Sequence, residues 1–371
     1  MTNIKTNNLS WGFAQVWNES LEQRQERPVT PRNNLWASEL GKSLVDNYLK
    51  MKGETPTNPP NMRSLRKFEA GNIWEWIVGL VLKRAGIYLG EQRWNSFRYP
   101  GLIEVTGKID FLAGGKPDWE KAKAEVEQLG LPMFINRASE NIINHFQKQY
   151  PDGMKTIVLE NKSTSSFMFP LYEKFNFASL NHRLQAFHYL KAENLPEAHV
   201  VYVCKDDARM VEIGVFNPSA IENEYKGYIE KLTGYLQANE LPPLEQPIEF
   251  DEETGQFRDN WKIKYSLYLT KLYGYKDQKE FEDKYRGVVA KYNRVLNRYC
   301  ENKKMTDKNK EIIAEIEKEF AQPFENFAKT AAQRRAVLEG ETKDNTNYHE
   351  IHALQIIIFP ICIRILQYLH V

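Results

Sequence analysis

Two hydrophobic periods share this chain. The first 34 residues are mostly polar, run up to Pro28 and Pro31, and read as an arm. From Leu35 the apolar spacing predicts a helix over 35–53 that stops at Gly53. A Pro/Asn-rich loop over 55–62 leads into a stronger helix over 63–86. Its middle, NIWEWIVGLVL, is apolar almost all round and so belongs in a core. The period then falls to two. Stretches 92–99 and 102–112 read as strands joined at Pro100–Gly101, and 155–163 as a third. Between them, 116–149 carries helical spacing twice and reads as a helical insertion. A helix over 172–193, strands over 199–204 and 210–216, and a helix over 220–238 follow.

That order predicts an α/β fold, a central mixed sheet flanked by helices. It divides the chain into the arm (1–34), a core (35–240), a Pro-rich acidic linker (241–256) and a helical C-terminal region (257–371). Helices are expected in that region over 262–275, 278–299, 307–320 and 323–339. The apolar run over 353–371 is interrupted by Gln355, Pro360, Arg364 and Gln367. It reads as a segment that docks on the body, not as a membrane anchor.

Composition narrows the function classes. Lys and Arg total 50 against 49 Asp and Glu, for a net charge of +1. That excludes a globally basic nucleic-acid coat and leaves room for a local basic groove. Cys204, Cys300 and Cys362 are far apart, fitting neither a disulfide framework nor a zinc ribbon and pointing to a reducing compartment. The opening MTNIKTNNLSWGF has no apolar signal-peptide core. A cytoplasmic protein is expected.

Chemistry concentrates in IVLENKS, 157–163. Alternate strand residues share a face, so Glu160 and Lys162 project together with Val158. An acid beside an amine at the end of an apolar strand is costly to bury unless something uses it; the bland alternative is a solvated salt bridge on an edge strand. The run GKIDFL, over 107–112, also ends in charge. It places Ile103, Val105, Ile109 and Phe111 on one face, Lys108 and Asp110 on the other. Neighbouring strands would bring Asp110 to Glu160, and two close carboxylates repel unless a cation lies between them. A hard divalent ion with oxygen ligands, Mg²⁺ or Mn²⁺, is the natural solution. Asp152 is a rival, but eight residues of extended strand would hold it roughly 26 Å from Glu160.

Glu75 is a third candidate acid. Gly71 and Gly79 lie four residues to either side of it, so its helix face is bare enough to approach a sheet closely. His182, Gln185 and Tyr189 share a face of the following helix, where such groups either bind a phosphodiester strand or orient metal ligands. Over 286–310, eight basic residues, Arg294 and Arg298 among them, are interleaved with Tyr292 and Tyr299. They offer either a DNA contact or a solvated helix face.

Taken in order, ASEL at 37–40, Gly71 before Glu75, Asp110 in GKID, the ENK of 160–162 and Gln185-x-x-x-Tyr189 resemble the PD-(D/E)XK nuclease superfamily. The branch is that of the RecB-like exonucleases, which includes CRISPR-associated and phage recombination enzymes. The resemblance covers about 35–216. It implies a restriction-endonuclease-like core and a metal-dependent DNA exonuclease of recombination, repair or DNA processing. An endonuclease of the same fold, or an inactive domain that only binds DNA or a partner protein, is the alternative. Asp110, Glu160, the Asn161 carbonyl and Glu75 would hold Mg²⁺ or Mn²⁺. Lys162 would serve catalysis, and His182, Gln185 and Tyr189 would hold DNA. A recombination or replication protein would be a partner, and no membrane is implied.

Two departures matter. Many members carry a histidine where this chain has Trp74–Glu75. Many also hold an iron–sulfur cluster on one early and three late cysteines. Here Ser43, Ile263 and Ser266 stand at cluster positions, so no cluster is expected.

Overall fold

A computed structural model of the chain describes residues 13–23, 29–130, 137–216, 219–252 and 254–340. The arm carries a helix, α1 (Phe13–Gln23). The expected helix over 35–53 is instead a three-residue strand, β1 (Asn34–Trp36), a 3-10 turn over Ala37–Glu39, and α2 (Leu44–Met51). Gly41 in the left-handed region, φ 72°, breaks the run. Ser43 then caps α2 by accepting from the Asp46 amide. Helix α3 (Met62–Arg84) is the long apolar helix.

Strands β2 (Tyr88–Phe97) and β3 (Glu104–Gly115) are joined near Pro100–Gly101. The insertion provides α4 (Trp119–Gln128) and α5 (Arg137–Gln149) before β4 (Met154–Thr164). The helix expected over 172–193 is two, α6 (Phe169–Phe175) and α7 (Leu180–Glu193). Asn176 separates them at a positive φ of 45°. Strands β5 (Glu197–Cys204) and β6 (Met210–Phe216) and helix α8 (Ser219–Ala238) complete the layer.

The sheet is mixed, in the order β1-β3-β4-β5-β6, with β2 on β3. Helices cover both faces. On one, Leu184 and Phe187 of α7, Leu49 of α2 and Ile229 of α8 pack on Val158 and Val200. On the other, Trp74, Ile77 and Val78 of α3 and Ile142 of α5 pack on Phe111, Leu159 and Val203. Gly79 makes the second contact possible, since a Cβ there would stand 2.7 Å from the Phe111 ring.

The expected linker contains a hairpin, β7 (Ile248–Asp251) and β8 (Gln256–Asp259), and the expected helix over 262–275 is two short ones, α9 (Trp261–Lys264) and α10 (Leu269–Tyr273). The helices α11 (Gln278–Cys300), α12 (Asp307–Phe320) and α13 (Phe324–Gly340) enclose a separate core around Phe257, Tyr292, Leu296 and Phe327. The expected docking run over 353–371, with Cys362, lies outside the described residues. Among the described residues, no helix is long and apolar enough to cross a membrane.

Candidate active site

The ladder between β3 and β4 ends at Phe111 opposite Leu159. The next residues on the two strands are Asp110 and Glu160. Past them β3 changes neighbour, its 104–106 stretch pairing with β1, while β4 continues beside β5 to Thr164. The sheet therefore forks, with two acids at the branch. Asp110 spans the opening, its Oδ2 accepting from the Asn161 amide at 2.8 Å. Asp152 lies in the turn before β4, at the opposite end of that strand.

Glu160 is 1% exposed. Its Oε1 accepts from the Lys162 ammonium and, at 2.6 Å, from Gln185 Nε2. Its Oε2 is buried without a hydrogen-bond partner, as is Asn161 Oδ1. Burial, then the Asp110 charge, pushes Glu160 up to about 8 against the pull of Lys162. Burial also raises Asp110, against the pull of Lys162, the Asn161 amide and Lys108. Burial opposes the Lys162 ammonium as well, but the Glu160 and Asp110 carboxylates outweigh it and hold the lysine protonated.

Glu75 reaches the same fork from α3. Burial, then Asp110, pushes it up to about 7. It does not face open water: Gln92 Nε2 donates to its Oε1. Gln92 sits opposite the branch on β2 at a positive φ of 53°, rare for a residue with a side chain. Nothing in the sequence marked it.

The donor set suits a hard dication. Glu160 Oε2 is an oxygen with unused acceptor capacity beside a second carboxylate, and magnesium is commonly held by one or two carboxylates with water filling the rest of the shell. Among the described residues no group of three or more His, Cys, Asp or Glu side chains is disposed around a metal position. The fit is thus to a two-carboxylate site with Glu75 at its edge.

The expected DNA-binding face of α7 is corrected. Gln185 and Tyr189 are 6% and 1% exposed and turn toward the sheet. Gln185 Nε2 donates to Tyr189 Oη at 3.0 Å as well as to Glu160, and Tyr189 Oη donates to the Lys108 carbonyl at 3.0 Å. Gly107 admits that ring, since a Cβ there would stand 2.5 Å from it. Gln185 thus holds Glu160 in place, and Tyr189 backs Gln185. Both faces of α7 are buried, so its spacing could not tell core from surface. His182 is a third member of that face. Its Nδ1 lies 2.8 Å from Ser179 Oγ and 2.7 Å from Tyr202 Oη. Burial, then Lys162 and Lys42, keeps the ring neutral, so it offers a phosphate no charge. Lys42 is a second amine at the fork that the sequence did not single out. Burial, then Lys50, lowers it to about 8, and Lys162 adds to the effect.

The base-stacking role expected of the tyrosines in the basic run is also corrected. Tyr292 is 1% exposed and donates to Glu319 at 2.6 Å, and Tyr299 packs edge-on against Phe324, so both belong to the C-terminal core and not to a base-stacking surface. Lys291, Lys303 and Lys310 pair with Glu315, Glu301 and Asp307. Arg298 donates to the Lys304 carbonyl at 3.1 Å, while Arg294 is exposed. At the positions compared with cluster cysteines, Ser43 and Ser266 are buried against Asp46. Asp46 accepts from Ser266 Oγ at 2.7 Å and from the Leu267 amide at 3.0 Å. Ile263 is fully buried.

No protein-family model and no curated protein sequence matches this chain. Solved structures similar to it include the following two. A crystal structure of SSO0001 is 14% identical with a TM-score of 0.39, covering 71% of this chain and 96% of its own. An alkaline exonuclease (LHK-Exo) from Laribacter hongkongensis is 11% identical with a TM-score of 0.33, covering 60% of this chain and 95% of its own. Likenesses of this size show no family, so the functional reading rests on this chain's own residues.

Proposed function

We propose that this chain is a divalent-metal-dependent deoxyribonuclease of the PD-(D/E)XK type, an exonuclease of the RecB-like branch acting on DNA ends in recombination, repair or processing. One observation carries the reading. The sheet forks at Asp110 and Glu160, Lys162 projects into the fork, and Glu160 keeps an unpartnered buried oxygen.

Asp110, Glu160 and the Asn161 carbonyl would hold Mg²⁺ or Mn²⁺, with Glu75 beside them. A dication bound there would offset charge on the scissile phosphate and lower the pKa of a water. The protein's own part is electrostatic. Gln185 and Lys162 both donate to Glu160 Oε1, which leaves Oε2 as the oxygen directed to a ligand. Lys162 is protonated and near enough to share its charge with an oxyanion that forms beside Glu160. Gln92 fixes Glu75 at the rim.

A second reading is favoured by one feature. The Lys162 ammonium is paired with the Glu160 carboxylate itself, which suits an inactive nuclease-like domain that only binds DNA or a partner. Digestion of end-labelled linear DNA beside a closed circle, in magnesium and in EDTA, separates these. Loss of the linear substrate alone marks an exonuclease. Cutting of both marks an endonuclease, and no cutting in magnesium leaves the binding reading.

A further inference from the structure

We propose that the apolar run over 353–371 docks on the core as a further strand, paired to the outer edge of β6. This goes beyond the nuclease reading and does not depend on it. Among the described residues, β6 has a strand neighbour on one side only, β5. The sheet's other long outer strand, β2, is broken by a register shift between Tyr88 and Gly90 and by the positive φ of Gln92. Such irregularities keep an edge from pairing with another chain. Strand β6 has none of them. Its seven residues, MVEIGVF, run in unbroken register with β5 and include neither lysine nor proline.

The hairpin fixes which backbone groups point outward. The Cys204 amide donates to the Arg209 carbonyl at 2.8 Å, and bonded pairs recur at every second residue of an antiparallel ladder. Val211, Ile213 and Val215 therefore bond to β5. The amides and carbonyls of Glu212 and Gly214 point away from the sheet, a template for one more strand. Side chains divide the same way. Val211, Ile213 and Val215 are buried in the core shared with α7 and α8, whereas Glu212, Gly214 and Phe216 are exposed on the other face.

Reach, pattern and charge name the occupant. Arg334, six residues from the end of α13, lies 5.8 Å from the Phe175 ring of α6. Two residues earlier on α6, Glu173 pairs with Arg209 at 3.3 Å, and Arg209 directly precedes β6. Helix α13 thus ends near the start of the open edge, and the chain over 341–352 can span roughly 40 Å. Past Pro360, the sequence ICIRIL puts Ile361, Ile363 and Ile365 on one face, β-branched residues at strand period. They prolong the apolar row of β6, and Pro360 suits the first residue of an outermost strand. Arg364 is the one lysine or arginine in 353–371, and it then falls on the opposite face. There Glu197 and Glu212 both bond to His199, two carboxylates to one imidazole, which leaves acidic charge for Arg364 to meet.

Residue-resolved hydrogen exchange tests the inference on the full chain and on a chain ending at residue 352, with light scattering for oligomeric state. In the full-length monomer the Glu212 and Gly214 amides should exchange roughly tenfold or more slowly than in the shortened chain. Val211 and Ile213 should stay slow in both. Ile363→Asp in the full chain puts a charge in the apolar row and should speed the same two amides, which keeps the test open if the shortened chain aggregates. Fast exchange of Glu212 and Gly214 in the full chain, or rates unchanged by both alterations, overturns the inference. Protection that appears only in a dimer assigns the edge to a second copy and overturns it as well. The measurement needs neither metal nor DNA, so its outcome is independent of nuclease activity.

Discussion

Replacing Gln185 by leucine removes a donor from a buried acid together with the hydrogen bond to Tyr189 Oη. The side chain is 6% exposed, and its Nε2 stands 2.6 Å from Glu160 Oε1. A hydrogen bond to a charged group contributes about 1.5–3 kcal/mol. Its loss is felt only when Glu160 is ionised, because the neutral acid needs the donor less. Burial holds Glu160 above the ordinary carboxylate range, so a proton competes with a metal for it. A metal needs the ionised form. Gln185→Leu should therefore raise the Glu160 titration by about one to two units and weaken magnesium or manganese binding roughly 10- to 150-fold. Isothermal calorimetry with Mn²⁺ across pH 6–9, with DNA affinity measured in EDTA, reads both effects. An unchanged metal affinity with weakened DNA binding would refute the reasoning and return Gln185 to a DNA-contacting role.

Three further outcomes follow from the same geometry. Glu75→Gln should keep the fold and shift the metal titration, since the acid lies beside Asp110; a silent titration would remove Glu75 from the site. In EDTA, stability should fall as pH rises. Burial raises Glu75 to about 7 and Glu160 to about 8, so protonation favours the folded state. That stabilisation is full below the ordinary carboxylate range and is lost as pH climbs through 7–8, at about 1.4 kcal/mol per pH unit for each proton held. Urea midpoints at pH 5 and 8.5 check it, and added magnesium should restore much of the loss at the higher pH. Gly79→Ala should destabilise by about 1–3 kcal/mol, because the new methyl meets the Phe111 ring, and an unchanged urea midpoint would contradict the close approach of α3.

The acids were legible because charge inside an apolar strand is conspicuous. Asp110, Glu160 and Lys162 each interrupt a β-period run, and Glu75 interrupts an apolar helix between two glycines. What the spacing could not give was the fork. It depends on Asn34–Trp36, three residues too short for any period, finding 104–106 some seventy residues away. The same short strand is why 35–53 looked like one helix. Gln92 was invisible because its part rests on a backbone angle and not on residue type. The burial of Gln185 and Tyr189 was hidden because α7 is covered on both sides, leaving no polar stripe to contrast with a core stripe. In α11 Lys291 was plain, but its acidic partner Glu315 on α12 came from tertiary packing.

The central claim divides two neighbours on one strand. Glu160 offers a hard oxygen, whereas protonated Lys162 has no lone pair to give. Mn²⁺ calorimetry beside a magnesium-dependent digestion of linear DNA, on Glu160→Ala and Lys162→Ala, tests that division directly. Glu160→Ala should lose both metal and turnover. Lys162→Ala should keep metal and DNA binding and lose roughly 10²–10³ in rate, the usual cost of removing one such contact to developing charge. Wild-type digestion by Lys162→Ala would contradict the account and return the pair to an ordinary salt bridge.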